Sequence, residues 1–301
     1  MRLAVTGGTG FVGSHLIDVA LAAGHHVCAL TRRDQPERQN VDWIRGDLDD
    51  RGAIHGLVSE AEAIIHVAGV INAPHAAAFE HGNATGTLAM LAAATACGIR
   101  RFVHVSSLAA RKPKLSLYGG SKARAEELVR SSGLDWSIVR PPAVYGPGDK
   151  ETLELFRMAK LGVMVMPPRG HLSLIHVDDL ASLLLALAAP GAPANIVIEA
   201  DDGTPGGWTH KAFGRALGAA VGKKPAILSS PGILLRLAAR ADQFFRGPRA
   251  KLTPDRAAYF SHRNWVVDPK LGPPPGLWQP QIATPDGLRQ TADWYRLKGW
   301  L

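Results

Sequence analysis

Cysteine is almost missing from this 301-residue chain, which has two, Cys28 and Cys97. Two thiols cannot staple a domain of this length, so a disulfide scaffold is excluded. Each lies in an apolar strand or helix pattern with no metal-ligand partner nearby in sequence, and both read as core fillers. Long apolar runs are also lacking. The longest, Leu183 to Ala189, falls far short of the roughly 20 residues needed to cross a bilayer, so no integral membrane span is expected. There is no acidic excess: 34 Lys and Arg against 26 Asp and Glu leave a net charge of +8, which favours anionic ligands without naming one. Aromatic residues make up only 6%, and no basic stretch interleaved with stacking rings occurs, so no nucleic-acid partner is expected. What is present, 46% hydrophobic and 20% charged residues, is the composition of a folded, soluble globular protein with one large or two modest domains. A secretory leader has a basic start and an apolar middle. Here a β-type run begins at Arg2 and leads at once into a glycine loop, so the expected compartment is the cytoplasm.

Short β-rich runs alternate with helical patterns through the first half, the signature of βαβ units and a parallel sheet. Strands are predicted at Leu3 to Thr6, His26 to Thr31, Asp42 to Arg45, Ala63 to Val67, Phe102 to Val105 and Trp136 to Arg140. Helices are predicted at Ser14 to Ala23, ended by Gly24, and at Ala76 to Ala96 and Ser121 to Arg130. The fold class is therefore α/β: a Rossmann-type doubly wound parallel sheet with a smaller C-terminal substrate domain. Past Arg140, prolines punctuate the chain and the alternation fades. The domains are set at 1–143, the dinucleotide-binding part, and 144–301, the substrate-binding part, with the stretch near 171–189 a candidate to pack back on the first.

Directly after the first strand stands Thr6-Gly7-Gly8-Thr9-Gly10-Phe11-Val12-Gly13-Ser14. Glycines at 7, 10 and 13 let a strand turn sharply into a helix and let a pyrophosphate reach backbone N–H groups at the positive helix end. A glycine triplet alone is weak; one that follows the first strand and opens an amphipathic helix is a dinucleotide signal, with Phe11 and Val12 in the same turn. The second strand ends Leu30-Thr31-Arg32-Arg33, with Asp34 only afterwards. An acidic residue there would hold a ribose 2′-hydroxyl, whereas arginines suit a 2′-phosphate, so Arg32 and Arg33 favour NADP, with NAD left open through Asp34.

Tyr118 and Lys122 stand four apart, on one face of a helix. A free phenol ionises near pH 10, too high for a base at neutral pH; a neighbouring ammonium would favour the phenolate and make Tyr118 a usable general acid or base. Upstream, the apolar strand Phe102 to Val105 ends in Ser106-Ser107, at the carboxyl edge where open α/β sheets bind ligands.

On these residues the chain resembles the short-chain dehydrogenase/reductase superfamily, in its extended or atypical, NAD-dependent epimerase/dehydratase-like branch. The branch's Gly-x-x-Gly-x-x-Gly falls on Gly7, Gly10 and Gly13, its Tyr-x-x-x-Lys on Tyr118 and Lys122, and its catalytic Ser on Ser107. Gly46-Asp47-Leu48 resembles the segment whose acidic residue holds the adenine amine, and Val67-Ala68-Gly69 the stretch lining the cofactor. Asn83-Ala84-Thr85-Gly86-Thr87, Arg140-Pro141-Pro142 through Asp149, and His176-Val177-Asp178-Asp179 continue the agreement, with Asn83 and Pro141 on the cofactor side. Two features depart from the sugar-nucleotide members. Only ten residues, Leu108 to Leu117, separate Ser107 from Tyr118, and His171-Leu172-Ser173 replaces the usual Arg-Asp-aromatic element. The resemblance thus implies hydride transfer between NADP(H) and a carbonyl or alcohol of an apolar or moderately polar small molecule, with a homodimer as the expected assembly. Two alternatives stand beside it: an NAD-dependent nucleotide-sugar epimerase or dehydratase, and a non-catalytic dinucleotide sensor.

The second half offers less. Val163-Met164-Val165-Met166-Pro167 fits either a pocket wall or a core strand. Pro231 to Gly247 reads as an amphipathic helix, most simply one edging a domain as plain scaffold, with a lid over an apolar substrate or a membrane-surface contact as the alternatives. From Pro231 to Arg263, seven Lys or Arg, Arg249 and Lys251 among them, face two Asp, so this piece carries +5. The resemblance makes His176, Asp178 and Asp179 structural, opening a helix by capping, and no metal is assigned.

Overall fold

The computed structural model describes residues 1–247, 250 and 252–301; Arg249 and Lys251 of the basic segment lie outside the described residues. The chain divides into two compact units. The first comprises Met1–Pro141, Leu180–Glu199 and Leu271–Gln279, and the second Pro142–Asp179, Ala200–Lys270 and Pro280–Leu301. The division at Pro141 lies two residues before the boundary read from the sequence, and the returning segment is 180–199 rather than 171–189. A loss of strand–helix alternation marks where a pattern ends, and it carries no signal for which distant segment closes a core.

In the first unit, β1 (Arg2–Thr6), β2 (His26–Thr31), β3 (Val41–Arg45), β4 (Ala63–His66), β5 (Arg101–Val105) and β6 (Asp135–Val139) form a parallel sheet in the order β3-β2-β1-β4-β5-β6. A seventh strand, Ile196–Ile198, extends it parallel to β6. The helices α1 (Phe11–Ala22), α2 (Arg51–Val58), α3 (Ala76–Phe79), α4 (Gly86–Ala96) and α5 (Leu117–Arg130) fill the crossovers. The inner strands β1 and β4 carry the apolar runs Leu3–Val5 and Ala63–Ile65, because both faces of the sheet are covered there, whereas edge strand β3 is only partly buried. Ala4, Ile64, Phe102 and Ile138 pack with Ile54, Leu57, Met90 and Leu91 in one core. The order reverses between β1 and β4, which opens a crevice at the carboxyl ends of these strands, where ligands bind in this architecture.

Three local differences from the sequence have physical causes. Helix α5 begins at Leu117, four residues before the predicted start, because Ser116 caps it by accepting the Gly119 N–H at 3.0 Å and so overrides the breaker pair Gly119-Gly120. The helix predicted over 76–96 is helical throughout, but Glu80–Thr85 is a π-turn, a local widening that often marks functional positions. Cys28 does have candidate metal-ligand neighbours: pairing of β2 with β3 sets it opposite Asp42 and close to His26. That carboxylate is already held by Arg2 at 2.7 Å and His26 at 2.8 Å, so a cation partner is in place.

The second unit is built from small sheets and helices. Ala143–Tyr145 pairs parallel with Leu174–His176, and Val163–Met166 with Ala226–Ser229. Its core gathers Tyr145, Phe156, Met164, Met166, Phe213, Leu217, Leu288 and Tyr295. In Val163–Met166 the two methionines point inward while Val163 and Val165 are exposed, the period-two pattern of a strand with one covered face. His176 supplies the cap, its Nδ1 accepting the Asp178 N–H at 3.2 Å. Asp179 instead accepts the backbone N–H groups of Gln281 and Ile282, each at 3.0 Å.

Candidate active site

The glycine loop leaves β1 with Gly7 at φ +72°, where a Cβ would stand 2.8 Å from the Ala68 amide nitrogen. A Cβ on Gly13 would overlap the Gly7 carbonyl, so hydrogen at both positions is what lets α1 seat against the end of the sheet. Gly10 is the N-cap residue of α1, and no side chain caps the helix there. The first-turn N–H groups of Phe11, Val12 and Gly13 therefore stand at the positive helix end, an arrangement that fits a diphosphate. Phe11 packs edge-on against His15.

At the end of β2, Thr31 Oγ1 accepts the Arg33 N–H at 3.2 Å and donates to the Arg33 carbonyl at 2.7 Å, pinning the turn. Asp34 is drawn to Arg45 at 2.9 Å. Arg32 and Arg33 are exposed, and among the described residues neither is in an ion pair. At the end of β3, Asp47 is exposed and accepts the Asp49 N–H at 2.9 Å, while Leu48 packs on the α4 backbone at Gly86.

The end of β4 is held by a buried chain of hydrogen bonds. The Ala68 N–H donates to Thr6 Oγ1 at 3.2 Å, and Thr6 Oγ1 lies 2.7 Å from His66 Nδ1. His66 Nε2 lies 3.1 Å from Thr87 Oγ1, which donates to the Asn83 carbonyl at 2.6 Å. Because Thr87 gives its proton to Asn83, Nε2–H must donate to Thr87. Burial, reinforced by the Lys122 charge, brings the His66 pKa down to about 3, so the ring is neutral at pH 7 and Nδ1 accepts from Thr6. His104 stacks on His66 at 5.5 Å and is equally buried, with neither ring nitrogen hydrogen-bonded among the described residues. Burial, with Lys122 and His66, holds its pKa well below the usual range. Asn83, expected on the cofactor side, is a buried brace. Its Nδ2 donates to the Val70 carbonyl at 3.0 Å and to Ser121 Oγ at 2.8 Å, and its Oδ1 accepts the Val70 N–H at 2.7 Å. Both amide hydrogens are used in tying the Ala68–Gly69–Val70 loop to α5, and Gly69 lies against Asn83 and Lys122.

Beyond β5 the two serines part company. Ser106 donates to Glu126 at 2.6 Å. Ser107 opens a short 3-10 turn, accepting the Ala109 N–H at 3.2 Å, and its hydroxyl is near enough to the Tyr118 phenol to pull that group's pKa down. Pro141 is buried behind this turn, its carbonyl accepting the Leu108 N–H at 3.1 Å. Burial outweighs that pull and pushes the Tyr118 phenol above its usual pKa. Lys122 Nζ donates to the Val105 carbonyl at 2.9 Å, and burial brings its pKa down to about 8 against the pull of Glu126. The sequence expects the ammonium to acidify the phenol. In the structure Lys122 is turned to the strand end, and burial and Ser107 set the phenol's balance.

Sequence reasoning missed the charges that hold this cluster in place. Arg140, at the end of β6, forks onto Glu126 of α5 at 2.6 and 2.8 Å and reaches Glu199 at 3.4 Å. Arg111, from the turn after Ser107, meets Glu199 at 3.1 Å. Both carboxylates are almost fully buried. This network fixes α5, and with it Tyr118 and Lys122, against the strand that delivers Ser107. The one legible hint was Glu126, an acid one helical turn past Lys122 on the same face.

A parallel sheet reversing at β1 and β4, a glycine-opened helix and a Ser–Tyr–Lys cluster at the strand ends define a Rossmann-type dinucleotide-dependent enzyme. More specifically, the chain belongs to the NAD-dependent epimerase/dehydratase family, whose profile matches residues 3–198. It is an NAD(P)-dependent oxidoreductase of the short-chain dehydrogenase/reductase type. It is 36% identical to the ceramide reductase of Caulobacter vibrioides over 99% of this chain and 96% of that protein. It is 30% identical to a 4-hydroxy-2-methyl-3-oxo-4-farnesyl-3,4-dihydroquinoline-1-oxide ketoreductase of Stigmatella aurantiaca, over 68% of this chain and 69% of that one. Among solved structures it resembles the Bordetella bronchiseptica enzyme WbmG in complex with NAD, with a TM-score of 0.76 at 20% identity, covering 100% of this chain and 95% of that one. At that identity the last likeness concerns the fold.

Proposed function

We propose that this protein reduces a ketone borne by a molecule with a long apolar chain, using NADPH. The observation that carries the proposal is the gathering of Ser107, Tyr118 and Lys122 at the carboxyl edge of β5, where Lys122 Nζ meets the Val105 carbonyl and Glu126 of the same helix is tied to Ser106 and Arg140. The two relatives named for reductase activity support the reaction type, and both names describe molecules with an apolar chain. Arg32 and Arg33, exposed and in no ion pair among the described residues, with Asp34 drawn off to Arg45, support NADPH over NADH. In this proposal the first turn of α1 holds the diphosphate, Arg32 and Arg33 the 2′-phosphate, Asp47 the adenine side and Lys122 the ribose hydroxyls. When bound, the nicotinamide supplies hydride to the carbonyl carbon.

Tyr118 Oη gives its proton to the carbonyl oxygen, and Ser107 donates a hydrogen bond to that same oxygen as negative charge gathers on it. A phenol held above its usual pKa is fully protonated at neutral pH, the form a proton donor needs. Lys122, with a pKa of about 8, is mostly charged at pH 7 and offers the cation that a newly formed phenolate on the same helix face requires. Nucleotide-sugar chemistry has weaker sequence support than ketone reduction: a dehydratase relative at 28% identity over 60% of this chain against a reductase at 36% over 99%.

The test is NADPH consumption with a long-chain 3-oxo lipid, compared with a nucleotide sugar and with NADH. We expect lipid-dependent oxidation of NADPH. Tyr118→Phe should bind NADPH normally and lose about 10²- to 10⁴-fold in turnover. Normal turnover in that variant, or interconversion of nucleotide sugars with no net NADPH change, would overturn the proposal.

A further inference from the structure

The helix Gly232–Arg246 in the second unit is amphipathic in the reverse of the usual sense. Ala239 is its one buried residue. Ile233, Leu234 and Leu237 are more than half exposed, and Phe244 and Phe245 are 85% and 83% exposed. At about 100° per residue, Ile233, Phe244, Leu237, Ala241, Leu234 and Phe245 fall in that order along one arc of roughly 120°. Leu235, Ala239 and Asp242 lie opposite, on the covered side. A helix that merely edges a domain turns its apolar stripe inward; this one turns it to solvent. The strand that leads into it adds to the exposed surface. Leu228 pairs in register with Val165, and both are about half exposed.

Charge says what covers this face. Arg236 and Arg240 follow one border of the arc, and among the described residues neither is in an ion pair. Arg246, at the far end, pairs with Asp242 at 3.2 Å. The arc itself carries no charged residue. An antiparallel two-fold contact with a second copy would set the arginine border near its own symmetry mate, like against like. A bilayer bearing anionic headgroups matches both parts: acyl chains for the phenyl and leucyl side chains, phosphates for the guanidiniums. Among the described residues no helix is long and apolar enough to cross a membrane, so this element would lie on one.

We infer that Gly232–Arg246 is a membrane-surface helix that docks the protein on anionic lipid bilayers through Phe244, Phe245, Ile233, Leu234 and Leu237, with Arg236 and Arg240 on the headgroups. This inference stands on the helix alone and not on the ketone proposal. A protein that binds vesicles yet leaves lipid ketones untouched keeps the surface and loses the substrate.

The experiment is co-flotation of the full chain with vesicles of phosphatidylcholine, with and without phosphatidylglycerol. We expect the protein to float with the mixed vesicles, less with the neutral ones, and less as salt rises. Phe244→Ser/Phe245→Ser should cut partitioning at least about tenfold, in line with the loss of two large buried side chains. Arg236→Gln/Arg240→Gln should cut it about fivefold per arginine on the mixed vesicles and leave the neutral ones unchanged. The far-UV circular dichroism spectrum and the thermal midpoint, unchanged in both variants, report that they fold. Because the serine pair could fail that control, Phe244→Trp gives a second readout, a blue shift of its emission on mixed vesicles. The inference fails if the wild type stays with the unbound fraction, if the serine variant floats as wild type does, or if the tryptophan emission does not move. A wild-type dimer that becomes a monomer in the serine variant, with neither floating, would make the face a subunit contact instead.

Discussion

The two units use amphipathic sequence in opposite ways. In the first, apolar stripes face a parallel sheet and polar side chains are carried into the interior with partners, His104 excepted: Glu126 with Arg140 and Ser106, Asn83 with Val70 and Ser121, His66 with Thr6 and Thr87. In the second, a helix with an equally clear stripe keeps it outside, with Phe244 and Phe245 in solvent. Substitutions in the first unit should therefore be costly to the fold, and substitutions on that helix nearly silent, although both alter the same kinds of pattern.

The largest stability loss should come from Glu126→Ala. It would leave Arg140 without its forked partner inside the protein, and removing one member of a buried pair costs about 3–5 kcal/mol. Urea unfolding measures this, and a loss under about 1 kcal/mol would mean that the network is looser than its distances imply. Acid should act next. His66 titrates at about 3 in the fold and near 6.5 unfolded, so below pH 6.5 the unfolded chain takes up a proton that the native one refuses. Stability is then full above pH 6.5 and falls with decreasing pH toward 3, by about 1.4 kcal/mol per pH unit for each such histidine. His104 is shifted the same way and should add to the slope. Unfolding curves at pH 7, 6 and 5 give that slope; a flat response would refute the neutral buried pair.

His104→Leu should be milder. Its ring nitrogens have no hydrogen-bond partner among the described residues, so an apolar side chain should change stability by about 1 kcal/mol or less, or raise it, while roughly halving the acid slope. Smallest of all should be Phe244→Ser/Phe245→Ser, within about 0.5 kcal/mol of wild type, because exposed side chains contribute little to folding. A loss of several kcal/mol there would show that the helix is packed in solution and would erase the contrast between the units.

Much of the first unit was legible because its period is local. Six strands and the glycine loop follow from apolar runs and turn residues within a few positions of one another, and Ser107, Tyr118 and Lys122 sit on elements that the same signals locate. The seventh strand, Ile196–Ile198, was not foreseen, since three apolar residues carry no period. The partnership of Glu126, Arg140, Glu199 and Arg111 also stayed hidden, because it joins residues far apart in the chain. Asn83 was placed on the cofactor side by its motif, and only its neighbours revealed a bracing amide.

The positions of six strands, the glycine loop and the Tyr118–Lys122 pair were legible in sequence alone, since each depends on residues that adjoin or share one helix face; the order of the strands in the sheet was settled by pairing between distant segments. The inward or outward aim of a side chain was decided by tertiary structure. A periodic stripe states that one side of a helix is apolar, but whether protein or solvent meets that side depends on what else the chain brings there. The same holds for charge: Lys122 faces the Val105 carbonyl because α5 packs on the end of β5, and Asp34 faces Arg45 because β2 and β3 pair side by side.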